Sequence, residues 1–262
     1  MTQDILTMTI GGKAASAGNH LDVCNPATGQ VFAAVPDAGA AELEAAITAA
    51  RIAFPAWRDT PWATRAAIIN QIGEAIAANA AELAAMLTRE QGKPAEQAQF
   101  EVMAAAQWCQ ATATLTLPDR EIEAGPGRRQ ITRYVPIGVV AGISPWNFPV
   151  VLSIWKIAPA LLAGNTLVLK PSPFTPMTVL RIGELVRDFV PAGVLNIITG
   201  GDALGPLMTA HPGFDKVSFT GSTATGRRVM ASAAPTLKRL TLELGGNDAA
   251  IVMPDVNVPE TA

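Results

Sequence analysis

The sequence predicts an α/β protein built on a doubly wound parallel sheet, with an amino-terminal helical layer and a protruding β-hairpin. Three observations carry that expectation. From residue 138 onward, short apolar runs alternate with single segments of helical length, the pattern of parallel βαβ units. Residues 37–117 are rich in Ala, Glu, Leu and Gln, with apolar residues at helical spacing. Residues 118–135 place β-like runs on either side of Gly125-Pro126-Gly127, as a hairpin does. The expected sections are therefore an arm and helical layer over 1–117, a hairpin over 118–135 and a parallel-sheet core over 136–262.

Each element has its own signal. Residues 1–36 alternate short β-like runs with turns, such as Asn25-Pro26-Ala27-Thr28-Gly29 between Leu21-Asp22-Val23 and Val31-Phe32, and predict an opening hairpin or extended arm. Leu43, Ile47, Ala50 and Phe54 mark the first helix, which Pro55 is expected to end. Thr60-Pro61 opens the second with proline in its first turn, and Gly92-Lys93-Pro94 separates the third from the fourth. Arg120–Glu123 and Gln130–Val135 form the arms of the hairpin. Strand-helix pairs follow at Gly138–Ile143 and Val151–Ala163, Thr166–Leu169 and Pro176–Phe189, Val194–Ile198 and Ala203–Ala210, and Lys216–Phe219 and Thr223–Ala234. Two further strands are expected at Arg239–Leu242 and Ala249–Met253.

Composition narrows the function. The chain has 262 residues, 49% hydrophobic and 16% charged, which excludes global disorder. A formal net charge of −3 lacks the basic footprint of a nucleic-acid binder or an anionic-membrane binder, so small molecules or proteins are the expected partners. The most apolar stretch, Val150 to Ala163, contains Lys156 and Pro159 and falls short of the roughly 20 residues of a membrane span. Met1 to Lys13 has no basic segment ahead of an apolar block, so no signal peptide is read there. Two cysteines, Cys24 and Cys109, point to a reducing, cytoplasmic compartment, and neither they nor His20 and His211 fall into a metal-ligand pattern.

In a Rossmann-like sheet of this kind the ligand crevice lies at the carboxyl ends of the strands, which directs attention to the residues that follow them. These are Ser144-Pro145-Trp146-Asn147-Phe148-Pro149, Lys170-Pro171-Ser172-Pro173, Thr220-Gly221-Ser222-Thr223-Ala224-Thr225-Gly226 and Glu243-Leu244-Gly245-Gly246. Gly221 lets backbone approach a phosphate, and Ser222 or Thr223 caps a helix whose N–H groups suit a pyrophosphate; an ordinary helix cap reads equally well. Gly221 to Gly226 has P-loop spacing, but Arg227-Arg228 stand where Lys and Ser/Thr would bind phosphate and magnesium. Lys170 suits a sugar hydroxyl or is a solvated surface lysine. Asn147 suits an oxyanion donor or is a turn asparagine bonded to its own backbone. Glu243, expected to be buried with a raised pKa, suits a general base or is a structural carboxylate.

Taken together, Pro145-Trp146-Asn147-Phe148-Pro149, Lys170-Pro171-Ser172, Phe219-Thr220-Gly221-Ser222 through Gly226 and Glu243-Leu244-Gly245-Gly246-Asn247 resemble the aldehyde dehydrogenase superfamily in order and spacing. The likeness runs from Asn25-Pro26-Ala27-Thr28-Gly29 to the end and covers only the amino-terminal half of such an enzyme. The resemblance implies oxidation of an aldehyde to a carboxylic acid by a cysteine nucleophile with NAD or NADP, on an NAD(P)-binding core over 136–262. It implies that Asn147 holds the oxyanion, that Lys170 bonds the adenine ribose, that Gly221-Ser222 opens the helix under the pyrophosphate, and that Glu243 activates the hydrolytic water. Coenzyme contacts are implied for Ile143, Ser144, Pro145, Trp146, Asn147, Lys170, Ser172, Pro173, Gly205, Phe219, Thr220, Gly221, Ser222, Thr225, Glu243, Leu244 and Gly245, with no metal. The full-length form is implied to be a homo-oligomer joined through the hairpin, so this portion alone is expected to expose apolar surface and associate poorly.

Two departures from the family pattern matter. Pro173 stands where many NAD-preferring members carry a glutamate, which leaves NADP open beside NAD. Only 19 residues follow Glu243 and none is cysteine, so the nucleophile and the catalytic domain are expected to be absent and the chain to be inactive on its own. The rival readings are a non-catalytic dinucleotide-binding relative and a phosphate-binding transferase built on Gly221–Gly226.

Overall fold

A computed structural model describes residues 6–123, 125 and 127–261, so Pro126 of the expected turn, Ala124, residues 1–5 and residue 262 lie outside the described residues. The chain opens with β1 (Met8–Ile10) and β2 (Lys13–Ala15), followed by β3 (Asn19–Asn25) and β4 (Gln30–Asp37). The β3–β4 hairpin forms where the sequence places it. Asn25 Oδ1 accepts the Ala27 N–H at 2.9 Å, and Gly29, at φ 68°, closes the turn in a left-handed conformation open to glycine.

Four helices follow: α1 (Ala40–Asp59), α2 (Trp62–Ala78), α3 (Ala80–Gln91) and α4 (Ala95–Ala113). The punctuation at Gly92-Lys93-Pro94 is as expected. Gly92 ends α3 at φ 87° and packs so closely on Pro26 that a Cβ would lie 2.7 Å from its ring. Pro55 does not end the first helix; it lies inside α1, which continues for another turn. The reason is tertiary: Trp57 is buried in that turn and its Nε1 donates to Leu161 O at 3.1 Å, which retains the helix beyond the proline.

The short hairpin β5 (Arg120–Glu123) and β6 (Arg129–Thr132) pairs antiparallel as a separate two-stranded sheet, with Ile122 and Ile131 exposed. The core then runs β7 (Val139–Ile143), α5 (Pro149–Leu162), β8 (Thr166–Lys170), α6 (Met177–Val186), β9 (Leu195–Ile197), α7 (Leu204–Ala210), β10 (Lys216–Gly221), α8 (Thr223–Ala233) and β11 (Arg239–Leu244). Proline at the first turn of α5 starts that helix two residues ahead of the sequence expectation.

The main sheet has the order β11-β10-β7-β8-β9-β1-β2, with β7 to β11 parallel and β1 and β2 antiparallel at one edge. The strand order reverses at β7, which pairs with β8 on one side and β10 on the other, and this is the topological switch point of a doubly wound sheet. Every residue of β8 is buried. Helices α5 and α6 contact the sheet and are backed by α2, α3 and α4, while α1 contacts both the sheet and α7. The expected strand at Ala249–Met253 is not formed. Ile251, Val252 and Met253 are exposed, and no sheet edge among the described residues pairs with them. A short helix, α9 (Val258–Thr261), follows. Among the described residues, no helix is long and apolar enough to cross a membrane.

Candidate functional site

The carboxyl ends of the parallel strands open into two clefts. The larger, of about 760 Å³, is lined by Pro145, Trp146, Asn147, Thr220, Gly221, Ser222, Glu243, Leu244 and Gly245, together with Trp108, Trp155 and Lys156. The smaller, of about 360 Å³, is lined by Ile143, Lys170, Gly205, Phe219 and Thr225, with Asp202 and Arg228 among their neighbours. Fourteen of the residues named from the sequence thus fall on two clefts at the end of one sheet. The other three stand behind. Ser144 Oγ bonds Ser153 Oγ at 2.9 Å, and Ser172 Oγ accepts the Phe174 N–H at 3.3 Å, so both hydroxyls fasten their turns; Pro173 is half-buried beside Ser172.

Helix α8 begins at the switch point. Ser222 is its N-cap, with Oγ accepting the Thr225 N–H at 3.2 Å, and its side faces the larger cleft. The helix start therefore presents backbone donors and the positive end of its dipole to the crevice. Gly226 sits against β11, where a Cβ would come within 2.5 Å of the end of the Leu244 side chain, so a larger residue would displace that side chain. At Gly205 a Cβ would meet nothing within 4 Å, which leaves open space along the smaller cleft.

Lys170 is not a solvated lysine. It is 5% exposed, its Nζ donates to Pro171 O at 3.3 Å, and burial pushes its ammonium down to about 8 against the pull of Asp202 and Asp37. An ammonium so confined retains hydrogens for a ligand hydroxyl. Asn147 Oδ1 accepts the Phe148 N–H at 3.0 Å, the turn geometry expected of asparagine, and this leaves Nδ2 as the donor at the cleft. That bond is the turn reading of Asn147, a side chain bonded to its own backbone.

Glu243 departs from expectation. Its carboxylate is exposed at the end of edge strand β11, because nothing among the described residues covers that side of the strand. In register it pairs with Thr220, which brings it beside Lys156, a residue for which the sequence suggested no role. Lys156 donates to Thr220 Oγ1 at 2.8 Å and to Ser218 Oγ at 3.4 Å, and burial pushes it down to about 8, with Glu243 pulling the other way. The signal was present in the sequence: Lys156 is the single charge in the most apolar stretch, where a lysine must have a buried partner.

The donor set and the open space fit a dinucleotide. A confined ammonium, a capped helix start and a long cleft lined by both apolar and polar groups meet the needs of ribose, pyrophosphate and a flat aromatic ring.

Residues 13–262 match the model of the aldehyde dehydrogenase family. An aldehyde dehydrogenase from a Fusarium species is 40% identical over 252 residues, covering 96% of this chain and 53% of the relative. The crystal structure of an NADP-dependent enzyme from E. coli superposes with a TM-score of 0.89 at 41% identity, covering 93% of this chain and 52% of that one. A betaine aldehyde dehydrogenase variant from Staphylococcus aureus, solved with NAD+, gives a TM-score of 0.88 at 33% identity, covering 92% and 51%. This chain belongs to the aldehyde dehydrogenase family. It spans about half the length of the curated relatives it matches.

Proposed function

We propose that residues 136–262 form the coenzyme-binding core of an NAD(P)-dependent, hydrolytic aldehyde dehydrogenase, and that this chain by itself binds the dinucleotide without oxidising aldehyde. The observation that supports the first part is the convergence of Lys170, the start of α8, Asn147 and Glu243 on two clefts at the switch point. Lys170 would hold the hydroxyls of the adenosine ribose, and the first N–H groups of α8 would hold the pyrophosphate. A bound coenzyme would supply the hydride acceptor for the substrate carbon. Asn147 Nδ2 donates to the oxyanion that develops when a thiolate adds to the aldehyde carbonyl. Glu243 takes a proton from the water that then cleaves the thioester, releasing acid and thiol; its place at an exposed edge gives water access.

The second part rests on the cysteines. Cys24 is exposed in the β3–β4 hairpin, away from the clefts' lining, and Cys109 is fully buried in α4, where burial pushes its thiol up to about 12. Neither supplies the thiolate that the chemistry needs. Subunit contact in the full-length form is assigned to the β5–β6 hairpin, with its exposed Ile122 and Ile131.

The test combines two readouts on one sample. Trp108, Trp146 and Trp155 line the larger cleft, so bound NADH or NADPH will quench their emission by energy transfer. Saturable quenching, with no reduction of NAD+ or NADP+ when an aliphatic or an aromatic aldehyde is added, is the expected result. Coenzyme reduction would overturn the inactivity of the chain, and the lack of quenching by either dinucleotide would overturn the coenzyme site.

A further inference from the structure

Two charged side chains of the helical layer are buried together behind the loop that carries Asn147. Lys93, between α3 and α4, is 8% exposed and Glu101, in α4, is 1% exposed. Lys93 Nζ donates to Glu101 Oε2. Neither group stops there. Glu101 Oε1 accepts the N–H groups of Val150 at 2.8 Å and Val151 at 3.2 Å, in the first turn of α5. Lys93 Nζ also donates to Asn147 O at 3.1 Å and sits 4.2 Å from the centroid of the Phe148 ring. One ion pair in a separate layer therefore grips both ends of the turn from Asn147 to Val151.

Stability alone is a poor explanation for such a pair. Taking two charges out of water offsets most of their attraction, and an apolar pair of the same volume holds two helices at least as well. What an apolar pair lacks is direction. The bonds of Lys93 and Glu101 beyond each other go to the turn that bears Asn147, and the Phe148 N–H in that turn orients the Asn147 amide through its 3.0 Å bond to Oδ1. Two turns along α4, Trp108 stacks on Trp155 of α5 with ring centroids 4.9 Å apart, so α4 locates α5 at a second point. The turn is fastened at its base by the bond from Ser144 Oγ to Ser153 Oγ, while Trp146, Asn147 and Phe148 at its tip are all exposed and are gripped from outside the sheet by the pair.

We propose that Lys93 and Glu101 are positioning residues for Asn147: they fix its peptide and the start of α5 so that Nδ2 stays aimed into the larger cleft. The inference rests on the reading of Asn147 as the oxyanion donor. Neither side chain is among those that line the larger cleft.

Amide hydrogen exchange on the 15N-labelled full chain tests it. The Phe148 N–H reports the bond to Asn147 Oδ1, and the Val168 and Leu169 N–H groups of β8 report the core. Lys93→Met is expected to speed Phe148 exchange by about tenfold or more, the size of a hydrogen bond to a charged group, with the β8 amides unchanged. Lys93→Arg is expected to restore protection. If Lys93→Met does not fold, Glu101→Gln, which keeps a neutral acceptor for Val150 and Val151, is the second variant and is expected to show the same selective loss. Unchanged Phe148 exchange in the folded variants, or exchange that rises only in step with β8, overturns the proposal and leaves a structural pair. Quenching by NADH is followed in the wild-type chain alongside. Its absence removes the coenzyme reading while leaving the exchange result intact, so the two failures are distinct.

Discussion

Glu90 couples the helical layer to the other loop of the site, and it does so with a charge that titrates near neutrality. It lies in the last turn of α3, 2% exposed, and its carboxylate accepts the N–H groups of Met177 at 2.7 Å and Thr178 at 2.9 Å as well as the Thr178 hydroxyl. It thereby caps α6, the helix that follows the Lys170–Pro173 loop. Burial, reinforced by Glu101 and opposed by those hydrogen bonds, raises its pKa from 4.5 to about 7. The folded state therefore holds a proton that the unfolded chain has released, and stability falls as pH rises from 4.5 through 7. At about 1.4 kcal/mol for each pH unit between those two values, the full effect is roughly 3 kcal/mol, of which about 1 kcal/mol lies between about pH 6 and pH 8.5. Glu90→Gln removes the titration and keeps the shape. Urea midpoints across that window are expected to decline in the wild-type chain by about 1 kcal/mol more than in Glu90→Gln. Parallel profiles would refute the raised pKa and the buried charge it describes.

Three further outcomes follow from the same structure. Ser222→Ala removes the cap of α8 and is expected to lower stability by about 1 kcal/mol and to weaken dinucleotide binding, read by unfolding and by quenching; unchanged values would remove Ser222 from the site. A thiol reagent is expected to modify Cys24 rapidly in the native chain and Cys109 only after denaturant is added, and two fast thiols in the native chain would contradict the buried placement of Cys109. Light scattering is expected to show a polydisperse chain that exposes apolar surface without forming a defined oligomer, with the spread reduced by Ile122→Lys together with Ile131→Lys on the hairpin; a monodisperse chain would refute this.

The parallel core was legible because its strands are short runs rich in apolar residues, all but β11 followed directly by one helix, and the crevice rule then pointed to Asn147, Lys170, Ser222 and Glu243 from residue order alone. What escaped depended on partners far away in the chain. Pro55 has the look of a stop, yet Trp57 anchors the turn beyond it to Leu161, a contact spanning 104 residues. The docking of β1 against β9 is secured by a bond from Gly11 N to Asn196 Oδ1 across 185 residues, and no local pattern records it. Residues 249–253 carry the apolar character of a strand, but β character becomes a strand only where an edge receives it. Glu90 and Glu101 look like surface charges on helices of mixed composition, and Lys93 like a charge in the loop between them, since nothing in helical spacing shows which polar residue faces the turn of another layer.

The most direct measurement of the coenzyme site is a calorimetric titration of the wild-type chain and of Lys170→Met with NADH and NADPH. Burial confines the Lys170 ammonium at the smaller cleft, so the methionine variant removes a charge-assisted donor while keeping the length of the side chain. Saturable binding by the wild-type chain, weakened about tenfold or more in Lys170→Met while the fold is retained, is the predicted result. Binding that is equal in the two chains, or absent from both, would contradict the placement of a dinucleotide at the switch point.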